Sequence, residues 1–573
     1  MYDVVIRGGT IVDGTGNASF IGDLALKDDK IVQVGGRAGN AKRVIDADGL
    51  LVTPGFVDIH THYDGQATWD PYLTPSGWHG VTTVVMGNCG VGFAPAHRDQ
   101  REWLIQLMEG VEDIPGSALA EGIRWEWETF PEYLNALEKF ERAVDIGTQI
   151  PHGAVRAYVM GKRSTELALA DDIEAMSKIV EEALRAGALG FTSSRTMLHR
   201  AKDGTPVPGT FAGHDELIGI GRSCGRVGHG VFEISSDFGI GGMRGRFHED
   251  VEWMSALSRE TGLPVSFILA QANHHPDEWR EILTWTEQAV LDGAQLRVQV
   301  AARPAGMLMN FDNPMHPFKE HPTYRKIAHL EFKQKIKLIS DPEFRQQLVA
   351  EASDADGKFE SVFVNHFDNM YPLGDPPNYE PTSAQSISAI AKRNGKSKQA
   401  VLLDAMLEND GKAFIYYPIL NYADANFDAI REMLIHPQAL LSLSDGGAHC
   451  GLICDASSPS YMLTHWVRDR SRGPKLPLEK VIRMQTHDTA DAYGLGDRGV
   501  LRAGMKADIN VIDLQSLRLH APQAVTDLPA SGRRLVQRVD GYRATVQSGK
   551  ITYDNGEVTG ELPGKLIRGP KGA

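Results

Sequence analysis

Four side chains in this sequence have types and spacings suited to metal-assisted chemistry. The run Pro54-Gly-Phe-Val-Asp-Ile-His60-Thr-His62 places two imidazoles two residues apart, after an apolar stretch. With 20 histidines in 573 residues, roughly 0.7 such pairs arise by chance, so the pair alone is weak. Its context strengthens it. Residues i and i+2 of a strand share a face, so both rings point the same way, and neutral imidazole nitrogens bind zinc and similar ions. Cys89, in Gly87-Asn-Cys89-Gly, offers a thiolate; a small buried residue in a tight turn is the competing explanation. Asp445, in Leu443-Ser-Asp445-Gly-Gly-Ala-His449, offers a carboxylate that can ligate a metal or take a proton from an attacking water. Alone, it reads equally well as a turn residue before glycines.

A regular set of elements is needed to bring these residues together. Eight strand-like segments can be read, at 55–63, 82–88, 154–160, 188–193, 231–235, 265–271, 296–302 and 440–444, with helical patterns between most of them. At 172–186, for example, Ile173, Met176, Ile179, Val180 and Ala183 recur at helical spacing. Alternating strands and helices predict a parallel sheet covered on both faces. Eight such units predict a (β/α)8 TIM-type barrel, in which chemistry gathers at the C-terminal strand ends. The four residues all fall at such ends. The chain's first fifty residues and its last seventy read instead as short strands closed by Gly, Asp and Asn turns. We therefore expect an α/β chain with a β-sandwich domain built from 1–54 and 497–573. The barrel would span 55–496, with insertions at about 97–150 and 305–437 that form lids over the site.

Composition narrows the classes. The net charge is −15 (59 Lys+Arg against 74 Asp+Glu), which disfavours nucleic acid as a partner. Four cysteines in a chain this long do not make a disulfide framework. No uninterrupted apolar run approaches the roughly 18 residues of a membrane span, and the first residues lack the pattern of a secretory signal. A cytoplasmic protein acting on a small molecule is expected, with homo-oligomerisation left open.

In order and context these sites resemble the amidohydrolase superfamily, and within it the N-acyl-D-amino-acid deacylase (D-aminoacylase) family. The resemblance rests on Ile6-Arg-Gly-Gly-Thr-Ile-Val-Asp-Gly, the His60/His62 strand, Gly87-Asn-Cys-Gly, Val111-Glu-Asp-Ile-Pro, Ser444-Asp-Gly and the run Asp497-Arg-Gly-Val-Leu-Arg-Ala-Gly-Met-Lys-Ala-Asp508. It implies a metal-dependent amidohydrolase that cleaves a linear amide, deacylating N-acyl-D-amino acids with activated water. It implies one Zn²⁺ or two, held by His60, His62, Cys89 and Asp445, with Asp445 the catalytic proton carrier.

This chain departs from that family at two strand ends. The positions where D-aminoacylases place metal-binding histidines on strands five and six hold Ser235 and Leu269, and a basic substrate contact is replaced by Gln271. No lysine lies on strand four, which excludes a carboxylated lysine. Glu233 shares the parity of Ser235 and is a candidate replacement ligand, an internal ion pair being the alternative. Arg195, Gln271, Arg303 and His449 are candidate substrate contacts; for the two arginines, a rim salt bridge is the competing role. A cyclic-amide hydrolase of the hydantoin or dihydropyrimidine type, or a non-catalytic binding relative, are the rival readings.

Overall fold

A computed structural model of the chain describes residues 1–238, 247–313, 315–356, 361 and 363–570. The two chain ends do meet. Strands Tyr2–Ile11, Phe20–Lys27, Lys30–Val34, Ala41–Asp46 and Leu51–Pro54 share one nine-stranded sheet with Ile509–Ile512, Tyr542–Gln547, Lys550–Asp554 and Glu557–Val558. The join is antiparallel, Val52 opposite Val511. One face of this sheet carries its own core, including Ile6, Leu24, Val52, Ile509, Val511 and Val546.

The middle of the chain is α/β. Phe56–Asp58, Val81–Met86 and Asp145–Thr148 form one parallel sheet. Ile150–Pro151, Gly190–Ser194, Val231–Ser235, Val265–Ile268, Leu296–Ala301 and Ala439–Ser442 form another. Only Gln149 separates the end of the first sheet from the start of the second. At the far edges, Thr61 bridges Gly446 in parallel, and the His62 amide donates to the Gly446 carbonyl at 2.8 Å. The strands are buried on both faces because helices cover them. Ala170–Ala186 is typical: Met176, Val180, Ala183 and Leu184 form its buried stripe, and Gly187 (φ 117°) ends it in the left-handed conformation that glycine adopts without strain.

One strand differs from the sequence expectation. Residues 154–160 lie in the helix His152–Met160, and Asp145–Thr148 with Ile150–Pro151 takes the third position. A short apolar run fits a buried strand or a helix equally. The segment 97–150 holds the helices Arg101–Glu112, Gly116–Gly122 and Phe130–Glu138. The last begins with a reciprocal capping box between Thr129 and Glu132. The segment 305–437 is largely helical, carries a small antiparallel sheet (Gly306–Met309, Tyr371–Pro372, Ile415–Pro418) and has a core of its own around Phe311, Ile339, Leu403 and Met406.

The parallel strands are tied to the terminal sheet by buried charge. Asp145 meets Arg498 at 2.6 Å and Lys506 at 2.7 Å, and Lys506 also meets Asp508 at 2.8 Å. These two cations hold the Asp145 carboxyl far below the usual range, against the opposing effect of burial.

Candidate metal centre

His60 and His62 follow the first parallel strand, and both rings are buried. Their centroids lie 5.5 Å apart, edge to face. Cys89, after the second strand, brings Sγ to 3.3 Å from His60 Nε2, and donor atoms of the three residues lie within 4.8 Å of one another. Asp445, after the last parallel strand, brings Oδ1 to 3.6 Å from His60 Nε2 and 3.8 Å from His62 Nε2. Cys89, Asp445 and His449 all have positive φ (56°, 48° and 51°). Non-glycine residues rarely adopt that conformation, and such strain gathers at functional sites.

Burial sets the protonation states. It pushes His60 and His449 down to about 4 and His62 well below the usual imidazole range, so all three are neutral bases at neutral pH. The Cys89 thiol is held well above its ordinary value by burial and by the Glu112, Glu233 and Asp445 carboxyls. Burial also raises Asp445 to about 8, although its side chain is 22 % exposed, unlike the fully buried rings of His60 and His62. Such a set suits a cation. Neutral imidazoles present lone pairs, and a bound ion would offset what burial costs the thiolate and carboxylate.

Spacing fits as well. Four-coordinate ions with bonds of about 2.0–2.3 Å hold their donors roughly 3.3–3.8 Å apart. The His60–Cys89, His60–Asp445 and His62–Asp445 contacts, at 3.3, 3.6 and 3.8 Å, fall in that range. Among the described residues, neither ring nitrogen of His62 has a hydrogen-bond partner.

Two residues missed from sequence complete the setting. Gln299, inward on strand Leu296–Ala301, lies 2.8 Å from His60 Nδ1 through Oε1 and is itself fixed by Ser266 and Ser442. Glu112, at the end of helix Arg101–Glu112, brings Oε2 to 3.4 Å from His62 Nε2 and 3.7 Å from His449 Nε2. A polar residue set between Val298 and Val300 is a signal for Gln299. Glu112 lies inside Val111-Glu-Asp-Ile-Pro, where nothing in its type marks it out.

The other sequence candidates are distributed unevenly. Ser235 turns inward and donates to Cys89 Sγ at 3.0 Å. Glu233 is fully buried, with Oε1 3.9 Å from Nδ1 of His60, the ring edge away from Cys89 and Asp445; burial raises it to about 8. Leu269 is buried and apolar. Arg303 is engaged internally: it pairs with Asp455 at 2.9 Å, donates to the Cys454 carbonyl and stacks on Tyr379. Arg195 donates to the Ala212 carbonyl at 2.7 Å and faces Asp250 at 3.6 Å. Gln271 binds Asp424 and the 421–423 backbone. His449 alone of the four proposed substrate contacts stands beside the cluster.

The family model for amidohydrolases matches residues 43–553. The chain belongs to the amidohydrolase family. It is a hydrolase of carbon–nitrogen bonds other than peptide bonds, similar to the D-aminoacylases. An uncharacterised protein of Mycobacterium tuberculosis is 28 % identical across 98 % of this chain and 93 % of its own length. The D-aminoacylase of Alcaligenes xylosoxydans xylosoxydans is 24 % identical across 99 % of this chain and 97 % of its own. Among solved structures, an N-acyl-D-glutamate deacylase from Bordetella bronchiseptica, complexed with zinc and a phosphonate inhibitor, superposes with a TM-score of 0.65 at 21 % identity, covering 99 % of each chain. Among the described residues of this amidohydrolase, no helix is long and apolar enough to cross a membrane.

Proposed function

We propose that this amidohydrolase is a metal-dependent deacylase of N-acyl-D-amino acids, with zinc as its metal. The observation that carries the reading is the meeting of His60, His62 and Cys89 at donor spacing, with Asp445 Oδ1 3.6 and 3.8 Å from the two imidazoles. On this reading the two parallel sheets are arcs of one (β/α)8 barrel that joins at Gln149 and at the Thr61–Gly446 bridge. The site then lies at the C-terminal strand ends, and residues 1–54 and 497–573 form the β domain.

His60, His62, Cys89 and Asp445 would hold the ion. When bound, it supplies a Lewis acid that polarises the amide carbonyl and lowers the pKa of water. Asp445 accepts the proton of the attacking water and delivers it to the departing amine nitrogen, which is a poor leaving group unless protonated. Its partial exposure gives it access to substrate that the buried histidines lack. Gly446 and Gly447 let the backbone beside it pack closely: a Cβ would meet Ser76 Oγ at 2.7 Å and Tyr63 at 2.8 Å respectively. His449 lines the same space and faces the acyl oxygen as it gains charge.

The test is removal and return of metal. Chelation should abolish hydrolysis of N-acyl-D-amino acids, and Zn²⁺, Co²⁺ or Mn²⁺ should restore it. Turnover that survives complete metal removal overturns the metal reading. Equal rates on the L series, or ring opening of cyclic amides without deacylation, overturns the substrate reading.

A further inference from the structure

Glu112 sits where a carboxylate is costly. It ends the helix Arg101–Glu112, at the negative pole of the helix dipole, and its side chain is 2 % exposed. A buried carboxylate ordinarily has a cation or several hydrogen-bond donors. Among the described residues, its ion-pair contacts are the imidazoles of His62 and His449 alone, and Oε1 has no hydrogen-bond partner.

The placement is enforced. His449 N–H donates to the Glu112 carbonyl, Cys450 N–H to the Asp113 carbonyl at 3.2 Å, and Gly451 N–H to the Asp113 carboxylate at 2.9 Å. The helix end is thereby stitched to the loop that carries Asp445. Within the cluster, Glu112 Oε2 and Asp445 Oδ1 face the same nitrogen of His62, at 3.4 and 3.8 Å. A carboxylate that merely orients a ligating histidine sits on the ring edge away from the metal. Glu233 has that relation to His60; Glu112 has the opposite relation to His62.

We propose that Glu112 is a metal ligand, completing with His62 and Asp445 the open half of the centre. The inference rests on reading the cluster as a metal site. It also accounts for Ser235 and Leu269. The first spends its hydroxyl on Cys89 and the second has no donor, so strands five and six supply nothing there and the 97–150 insertion supplies a carboxylate instead.

Metal-stripped wild type, Glu112→Gln, Glu112→Asp, Glu233→Gln and His62→Ala would be titrated with Zn²⁺ against a chromophoric chelator, and with Co²⁺ by visible absorption. Losing an outer-shell partner typically weakens a metal about 10–100-fold. Glu112→Gln should lose more than that and change the Co²⁺ spectrum, with partial recovery in Glu112→Asp. Without metal, Glu112→Gln should melt no lower than wild type, since it removes an uncompensated buried acid; this separates a lost ligand from a lost fold. Zn²⁺ affinity within about 100-fold of wild type, with an unchanged Co²⁺ spectrum, overturns the proposal while His62→Ala still loses its metal. Wild type that binds neither ion overturns the metal reading itself, and this inference with it.

Discussion

Nδ1 of His60 donates to the side-chain oxygen of Gln299 at 2.8 Å, and this contact fixes which nitrogen of the ring is free. With the proton on Nδ1, the lone pair is on Nε2, the atom 3.3 Å from Cys89 Sγ. With its oxygen toward Nδ1, the Gln299 amide nitrogen donates to Ser266 Oγ at 2.9 Å. Gln299→Leu leaves the Nδ1 proton without an acceptor. Outer-shell changes of this kind cost about 10–100-fold in metal affinity, and we expect a loss of that size in a zinc titration. Unaltered affinity would show that the tautomer is fixed by something else.

Cys89 is held by neighbours that serve a ligand better than a packing residue. Ser235 donates to its sulfur and its own backbone is at φ 56°; burial opposes its ionisation, a cost that a bound cation would offset. Cys89→Ala removes one heavy atom from the core, a loss of roughly 1 kcal/mol. The variant should therefore keep its fold and melt close to the wild type without metal, while binding Zn²⁺ more weakly or in smaller amount. Unchanged stoichiometry and affinity would return Cys89 to a packing role.

The histidine pair was legible because strand periodicity and an apolar run place both rings on one face. The joining of the chain ends was legible from Gly and Asp turns at both termini. The third parallel strand was not: 154–160 is apolar enough for a strand, whereas Asp145–Pro151 carries Gly147, Gln149 and Pro151, which argue against one. Glu112 was hidden for a different reason. A glutamate ending an amphipathic helix reads as a solvated residue, and only the docking of residues 449–451 against that helix end carries it into the cluster. Contacts between segments more than 300 residues apart leave no periodic trace.

Metal-free protein should lose stability as pH rises from 6.5 to 8. Asp445 and Glu233 have folded values of about 8 against ordinary values of 3.8 and 4.5. Between those limits the folded chain holds more protons than the unfolded one, so stability falls with pH. Each group contributes roughly 1.4 kcal/mol per pH unit. His60 and His449, lowered from 6.5 to about 4, act in the other direction, their loss appearing as pH falls below 6.5. Above 6.5 the carboxyls therefore set the slope. Binding Zn²⁺ should ionise Asp445 in the folded state and flatten it. Urea midpoints across this window, with chelator and with Zn²⁺, make the comparison; a metal-free slope of zero or of opposite sign would contradict these assignments.

Asp445 is the residue whose replacement should separate proton transfer from metal holding. It lies within 3.8 Å of both His60 and His62, closer to solvent than either, with glycines on its C-terminal side. Asp445→Asn keeps the shape and the hydrogen-bonding oxygen but removes the basicity. General acid–base catalysis is typically worth about 10²–10⁴-fold, and the variant should lose at least the lower figure in kcat. Metal content measured on the same sample gives the loss its meaning. With metal retained, the loss belongs to the proton; with metal lost, Asp445 is first of all a ligand. A folded, metal-loaded Asn variant with near-normal kcat would move the proton role elsewhere. His449 would then be tested first, as the remaining base beside the cluster with an exposed edge, 26 % of its side chain.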